Sequence, residues 1–419
     1  LRLCGLRLCG LRLCGLRLCG VRLCGVLVLA LVIVSKNAAA QSHAAALPMG
    51  SAIKLGLDPE QLNRAASLVE HAVEDDEIPA AVIFVACQGE VVLHRAFGFR
   101  DAARTQPLQK NALFRMASNS KAVTAAGILL LVQDGQLQLD DPVAKFLPAF
   151  ANETWKSVTV RHLLTHTSGC RIKRLFLKPL LSFDSQAAAQ SPIGSRLVRE
   201  VIRFAEIPTE AEAGETWSYN NAGFNILAGL IEHLTGSYQE FLRARLYQPL
   251  GMLDSCNHES RADHNRMSTV MKRQQDGSWQ PGWTPGDPPD WPFARGSGGM
   301  VSTAADYALF CQMLLRQGDA KNDSILRADL VAEMTSPQQD QCPAAKTYGL
   351  GWKVQEAGGV FSHTGSDGTF VWVDPQRELI GMLLTQTNGA TIPRTVFREA
   401  VEAAWRGVGN RNSTVPAAD

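Results

Sequence analysis

FRMASNSKAVTAAGILLLVQD, residues 114–134, decides how the rest of this chain is read. From Lys121 to Val132 the stretch is apolar almost all round, which predicts a helix buried on every side. Gly135 is placed to end it. Ser118 and Lys121 stand at its first turn, three residues apart, and that spacing puts both side chains on one helix face. A serine hydroxyl is a weak nucleophile until a neighbour takes its proton. A lysine amine can take it, or hold the hydroxyl in place, once burial lowers its pKa. The Ser118 N–H, unpaired at a helix start, is a candidate donor to the oxyanion formed on attack. Taken alone, an S-x-x-K arises about once by chance in a chain of this length. Ser51 and Lys54 form a second one, but no buried helix follows them.

Two further stretches supply partners. Residues 214–236 read GETWSYNNAGFNILAGLIEHLTG. Phe224, Leu227, Ile231 and Leu234 make one apolar helix face, Gly236 stops the helix, and Tyr219 and Asn221 fall on the loop that enters it. A tyrosine there can relay a proton between the serine and a leaving group. An amide two residues on can donate to a substrate carbonyl and accept from its N–H. The bland alternative is a packing tyrosine and a capping asparagine. Residues 361–374 read FSHTGSDGTFVWVD. His363, Thr364 and Gly365 end one strand run. Gly365 lets the strand backbone approach a ligand closely. The Ser366 N–H is then a second candidate oxyanion donor, and His363 and Thr364 are candidates to bind a substrate carboxylate.

Around these stretches the chain alternates in type. Residues 58–75 are predicted as an amphipathic helix, with Leu62, Ala65, Leu68, Val69 and Val73 on the buried face. Strand runs follow at 80–87 and 91–97, joined by the hairpin signal Gln88-Gly89. From about 116 to 340 the pattern is mostly helix and loop. Strands return at 347–355, 359–363, 369–374 and 378–385, with a turn at Pro375-Gln376-Arg377. A last helix covers about 392–406. The expected fold is α/β in the α+β sense: one antiparallel sheet built from the N- and C-terminal segments, flanked by the terminal helices, with a mainly helical region between.

Residues 1–25 are five near-identical pentads, LRLCG four times and then VRLCG. A five-residue period matches neither helix nor strand, so this is low-complexity sequence. From Arg22 a basic start, the apolar run 25–34 and Ala38-Ala39-Ala40-Gln41 give the layout of a secretory signal over 22–40. Cleavage is expected after Ala40, and the run is short of the roughly 20 residues a membrane span needs. The expected location is therefore periplasmic or extracellular, with membrane attachment only if the signal stays uncleaved. The folded body is assigned to one domain over 47–408 and a disordered tail to 409–419. The net charge of +1 includes six basic residues and no acid in positions 1–40. The remainder holds 35 basic against 40 acidic groups, net −5, which gives no reason to propose nucleic acid as a partner. Five cysteines lie in the repeat and five are scattered through the body with no C-x-x-C pair, which argues against a disulfide framework or a zinc site. His162 and His166 have the i, i+4 spacing of a metal pair, but no Glu follows His162 as in H-E-x-x-H, so they are read as structural. No serine lies in G-x-S-x-G, and GSGGM at 296–300 lacks the Lys-Ser/Thr of a phosphate loop.

The three motifs in this order resemble the serine β-lactamase and penicillin-binding-protein superfamily, in its class C, D-Ala-D-Ala carboxypeptidase and esterase branch. They are Ser118-Asn119-Ser120-Lys121, Tyr219-Asn220-Asn221 and His363-Thr364-Gly365. LLTHTSG at 163–169 and GSGGMVSTAADYALF at 296–310 are also similar to that family, and the similarity covers roughly 55–405. The resemblance implies an acyl-enzyme on Ser118 that water hydrolyses. It implies Lys121 and Tyr219 sharing the proton, Asn221 orienting the substrate, and the N–H groups of Ser118 and Ser366 forming an oxyanion hole, with no metal or cofactor. The substrate class it implies is a peptide amide or β-lactam, with a carboxylester or a silent penicillin-binding sensor as alternatives. A histidine where the commonest pattern has lysine removes a fixed cation. Which of Lys121 and Tyr219 is the base stays open on sequence.

Overall fold

The computed structural model describes residues 46–170, 195–320, 323–355, 358–388 and 390–407. The pentad repeat, the signal-like segment at 22–40, the tail at 409–419 and most of the 170–200 loop lie outside the described residues. Asp58 starts the first helix: its side chain accepts the Glu60 N–H at 2.9 Å, and α1 (Pro59–Glu74) follows. α1 buries Leu62, Ala65, Ala66, Val69 and Ala72. Leu68, expected on that face, is 41% exposed. At about 100° per residue it sits roughly a quarter turn from the stripe centred on Leu62, Ala65 and Val69.

The strands are, in chain order, β1 (Ala80–Cys87), β2 (Glu90–Gly98), β3 (Phe114–Arg115), β4 (Val270–Arg273), β5 (Trp279–Trp283), β6 (Val301–Ser302), β7 (Lys353–Val354), β8 (Phe361–Thr364), β9 (Phe370–Asp374), β10 (Leu379–Leu384) and β11 (Thr387–Asn388). β2, β1, β10, β9, β8 and β7 form one sheet in that order. The N- and C-terminal strand sets therefore do pair: β1 lies antiparallel to β10, with Val82 opposite Leu384 and Cys87 opposite Leu379. β1 is buried on both faces, and its period-two alternation sorts the core. Val82, Phe84 and Ala86 face a large cluster that includes the helical region. Ala81, Ile83, Val85 and Cys87 face a second cluster with α1 and the last helix.

The predicted buried helix is α2 (Ser120–Gln133), with every side chain from Ser120 to Leu131 out of solvent apart from Gly127, which has none. Next come α3 (Asn221–Thr235), α4 (Ala304–Leu315) and the terminal α5 (Arg394–Ala403), shorter than the 392–406 expected. Two expectations need correction. The middle of the chain is not only helix and loop: β4 and β5 form a hairpin turned at Asp276-Gly277, and β11 adds to it in parallel. Its exposed Lys272, Gln280 and Pro281 obscure the alternation a strand shows in sequence. The strand read at 347–355 shrinks to Lys353–Val354, because Gly351 turns through φ 80°, where an added Cβ would stand 2.9 Å from the Lys121 carbonyl oxygen.

Candidate active site

Ser118 does not sit in the first turn of α2. It occupies a separate 3₁₀ turn, Ala117–Asn119, just before it. Ala117 has φ 46°, a left-handed conformation that a residue with a Cβ rarely adopts. Several bonds hold the turn there. Met116 N–H donates to the Met300 carbonyl at 2.9 Å, Thr369 Oγ1 donates to the Met116 carbonyl at 3.0 Å, and Tyr307 OH donates to the Asn119 carbonyl at 2.9 Å. Ser120 Oγ donates to the Ala117 carbonyl at 2.6 Å and accepts Met300 N–H at 2.9 Å. The end of β8 presses on the same turn. A Cβ on Gly365 would stand 2.8 Å from the Met116 carbonyl oxygen and 3.0 Å from the Ala117 Cβ. The close approach that Gly365 permits is thus to the serine turn itself. Neither the Ser118 nor the Ser366 N–H has an acceptor among the described residues.

Lys121, Tyr219 and Asn221 converge on this hydroxyl. Lys121 Nζ is 3.1 Å from Ser118 Oγ, 2.8 Å from Asn221 Oδ1 and 2.8 Å from the Ser297 carbonyl oxygen. The side chain is wholly buried, and burial first, then the Arg295 charge, holds its pKa well below the usual lysine value. Tyr219 OH donates to Ser118 Oγ at 2.8 Å, and burial pushes the phenol up to about 12. Asn221 begins α3, and its neighbour Asn220 is the cap, accepting Gly223 N–H at 2.8 Å.

His363 and Thr364 lie on β8, but His363 does not present a donor to the cleft. Its Nδ1 is 2.9 Å from the Thr364 carbonyl oxygen and its Nε2 is 3.1 Å from Tyr348 OH. Burial takes its pKa down to about 3, so the imidazole is neutral. The carboxylate-binding role expected of it does not fit this arrangement. His162 serves its own helix, with Nδ1 accepting Thr159 N–H at 3.2 Å. His166 instead packs on Tyr219, ring centroids 4.4 Å apart.

Four contributors were missed in the sequence. The Ser297 carbonyl and the Arg295 charge act through loop backbone course, which no residue pattern reveals. Tyr348 sits in a Gly-rich turn whose only signal was its aromatic ring. Trp217, 44% exposed and two residues before Tyr219, stands at the same wall, 5.9 Å from the Tyr348 ring.

The beta-lactamase family model matches residues 65–404. The chain belongs to that family. Among its relatives, penicillin-binding protein 4* of Bacillus subtilis is 34% identical over 188 residues, which are 44% of this chain and 38% of the relative. Esterase EstB of Burkholderia gladioli is 33% identical over 199 residues, 46% of this chain and 50% of the relative. These alignments span half or less of those proteins' own length. A penicillin-binding-protein homologue from Caulobacter crescentus has the same fold, with TM-score 0.66, 21% identity and coverage of 83% of this chain and 99% of that one. The beta-lactamase fold thus carries penicillin-binding proteins and esterases alike.

Gly365→Ala is expected to distort the serine turn, because the added methyl would meet backbone at Met116 and the Thr369 hydroxyl at 2.2 Å. Overpacking of this kind costs about 1–3 kcal/mol. Urea unfolding measures that loss, and kcat falls with it; a variant with unchanged midpoint and rate shows that the turn tolerates the methyl.

Proposed function

We propose that this protein is a serine hydrolase that forms an acyl-enzyme on Ser118, with Lys121 as the base and carboxylic esters as its preferred substrates. The carrying observation is the Ser118 hydroxyl held between a wholly buried amine and a phenol. A neutral amine has two N–H bonds and one lone pair. Asn221 Oδ1 and the Ser297 carbonyl take the two N–H bonds, which leaves the lone pair for the Ser118 proton. Tyr219, a neutral phenol, donates to the same oxygen and is placed to pass the proton on.

The steps balance on these groups. Ser118 Oγ bonds to the ester carbon as its proton passes to Lys121. The Ser118 and Ser366 N–H groups take the oxyanion. The carbon–oxygen bond breaks, and the leaving alcohol departs with that proton, relayed by Tyr219. Water then attacks the acyl-enzyme, gives its proton to the same amine, and the acid leaves with Ser118 restored.

The preference for esters over peptide amides and β-lactams rests on His363. A neutral imidazole with both nitrogens engaged offers no cation to a substrate carboxylate. Ester substrates with a neutral acyl group do not need one.

A fluorophosphonate probe is expected to label the wild type and not Ser118→Ala; a labelled variant sends the assignment to another nucleophile. Among p-nitrophenyl esters, a D-Ala-D-Ala peptide and nitrocefin, the esters should give the highest kcat/KM. A higher value for the peptide or nitrocefin ends the ester reading and leaves Ser118 standing. The pH profile follows from the base. Burial lowers the Lys121 pKa well below the ordinary lysine value, so the base frees its lone pair at lower pH than a free lysine does, and kcat/KM falls as pH drops through that lowered value. Tyr219, raised to about 12, adds no alkaline limb below that. An alkaline optimum near the ordinary lysine pKa would contradict a neutral Lys121. Export is proposed from the signal layout at 22–40, and N-terminal sequencing of the secreted chain should begin at Gln41; retention of Arg22 would show an uncleaved anchor.

A further inference from the structure

Behind Tyr219 runs a chain of hydrogen bonds in which every proton has one place. It begins at the backbone N–H of Asn220, which can only donate, 3.3 Å from His166 Nδ1. A neutral His166 then carries its proton on Nε2, 3.2 Å from the Tyr348 oxygen. Tyr348 accepts there, and its own proton is left for His363 Nε2 at 3.1 Å. His363 accepts it and keeps its proton on Nδ1, facing the Thr364 carbonyl at 2.9 Å. The chain thus starts on the backbone of the loop carrying Tyr219 and ends on the backbone of β8. It cannot run the other way, because a backbone N–H has no lone pair and a carbonyl no proton.

The three side chains are buried. Burial keeps both imidazoles neutral, His363 down at about 3 and His166 well below its usual value. The same rings form the wall beside the phenol. Tyr219 lies 4.4 Å from the His166 ring and 6.2 Å from that of His363, and the Tyr348 ring lies 4.8 Å from His166.

We propose that Tyr348 is a positioning residue for the Ser118 reaction: its hydroxyl accepts from His166 and donates to His363, locks the two imidazoles in opposite tautomers, and so fixes the wall that holds Tyr219 on Ser118. The proposal rests on the hydrolase reading only for its consequence in rate. A phenylalanine at 348 keeps the ring and loses the one group that serves both nitrogens. His166 Nε2–H and the His363 Nε2 lone pair are then buried without partners, an arrangement relieved by rotating or re-tautomerising a ring that touches Tyr219.

The test uses the full chain with ¹⁵N-labelled histidine. Its nine histidines are resolved by subtracting the spectra of His166→Gln and His363→Gln. The wild type should show His363 protonated on Nδ1 and His166 on Nε2, neither titrating from about pH 5 to 9. The opposite tautomer at either ring, or a titration near 6.5, overturns the proposal. Tyr348→Phe should mix the tautomers and lower kcat about tenfold or more, with KM changed less than about twofold. Unchanged kcat in a folded Tyr348→Phe overturns the positioning role. If that variant does not fold, the wild-type tautomers still decide. A wild type that fluorophosphonate fails to label refutes the hydrolase reading alone, since the tautomers are read in the resting protein.

Discussion

One lysine amine without water around it is the constraint on which this structure turns. A buried ammonium is costly, so burial drives the Lys121 pKa well below the usual lysine value, and the neutral amine this favours must still place two hydrogens and a lone pair. Asn221 at the start of α3, the Ser297 carbonyl before β6 and Ser118 before α2 supply the three positions. Three segments far apart in sequence are therefore tied to one nitrogen. α2, buried along its length from Ser120 to Leu131, keeps that nitrogen out of water.

The serine turn is the second cost. Ala117 is left-handed, and the bonds from Thr369, Met300 and Tyr307 keep the turn in place. Strain of this kind persists only where neighbours over-determine it. β8 is one of those neighbours, so the H-T-G segment supports the serine turn through Gly365 while its histidine faces inward to Tyr348.

Much of this was legible in the sequence, for definite reasons. α1, α2 and α3 carry strong apolar patterns, β1 and β9 are rich in β-branched and aromatic residues, and β10 is a purely aliphatic run apart from Gly381, each bounded by turns. The order of the three motifs pointed to one site because each fell at the edge of such an element. What stayed illegible depends on backbone course. Ser118 lies in a 3₁₀ turn that no propensity separates from the α-helix beside it. The β4–β5 hairpin carries polar residues on its open face. The 347–352 segment has strand-forming residues but turns at Gly351 against Lys121. Tyr348 reaches His166 across 182 residues and Ser297 reaches Lys121 across 176, separations that no local pattern signals.

The pairing of β1 with β10 also governs how the chain can reach this state. Val82 and Leu384 are partners across almost the whole described length. Loop closure over such a separation is slow to win, and topologies dominated by distant pairings fold late. The N-terminal hairpin therefore has an unpaired inner edge until the last strands have emerged. During synthesis that edge, rich in Val, Ile and Phe, is the stretch most in need of shielding from other chains.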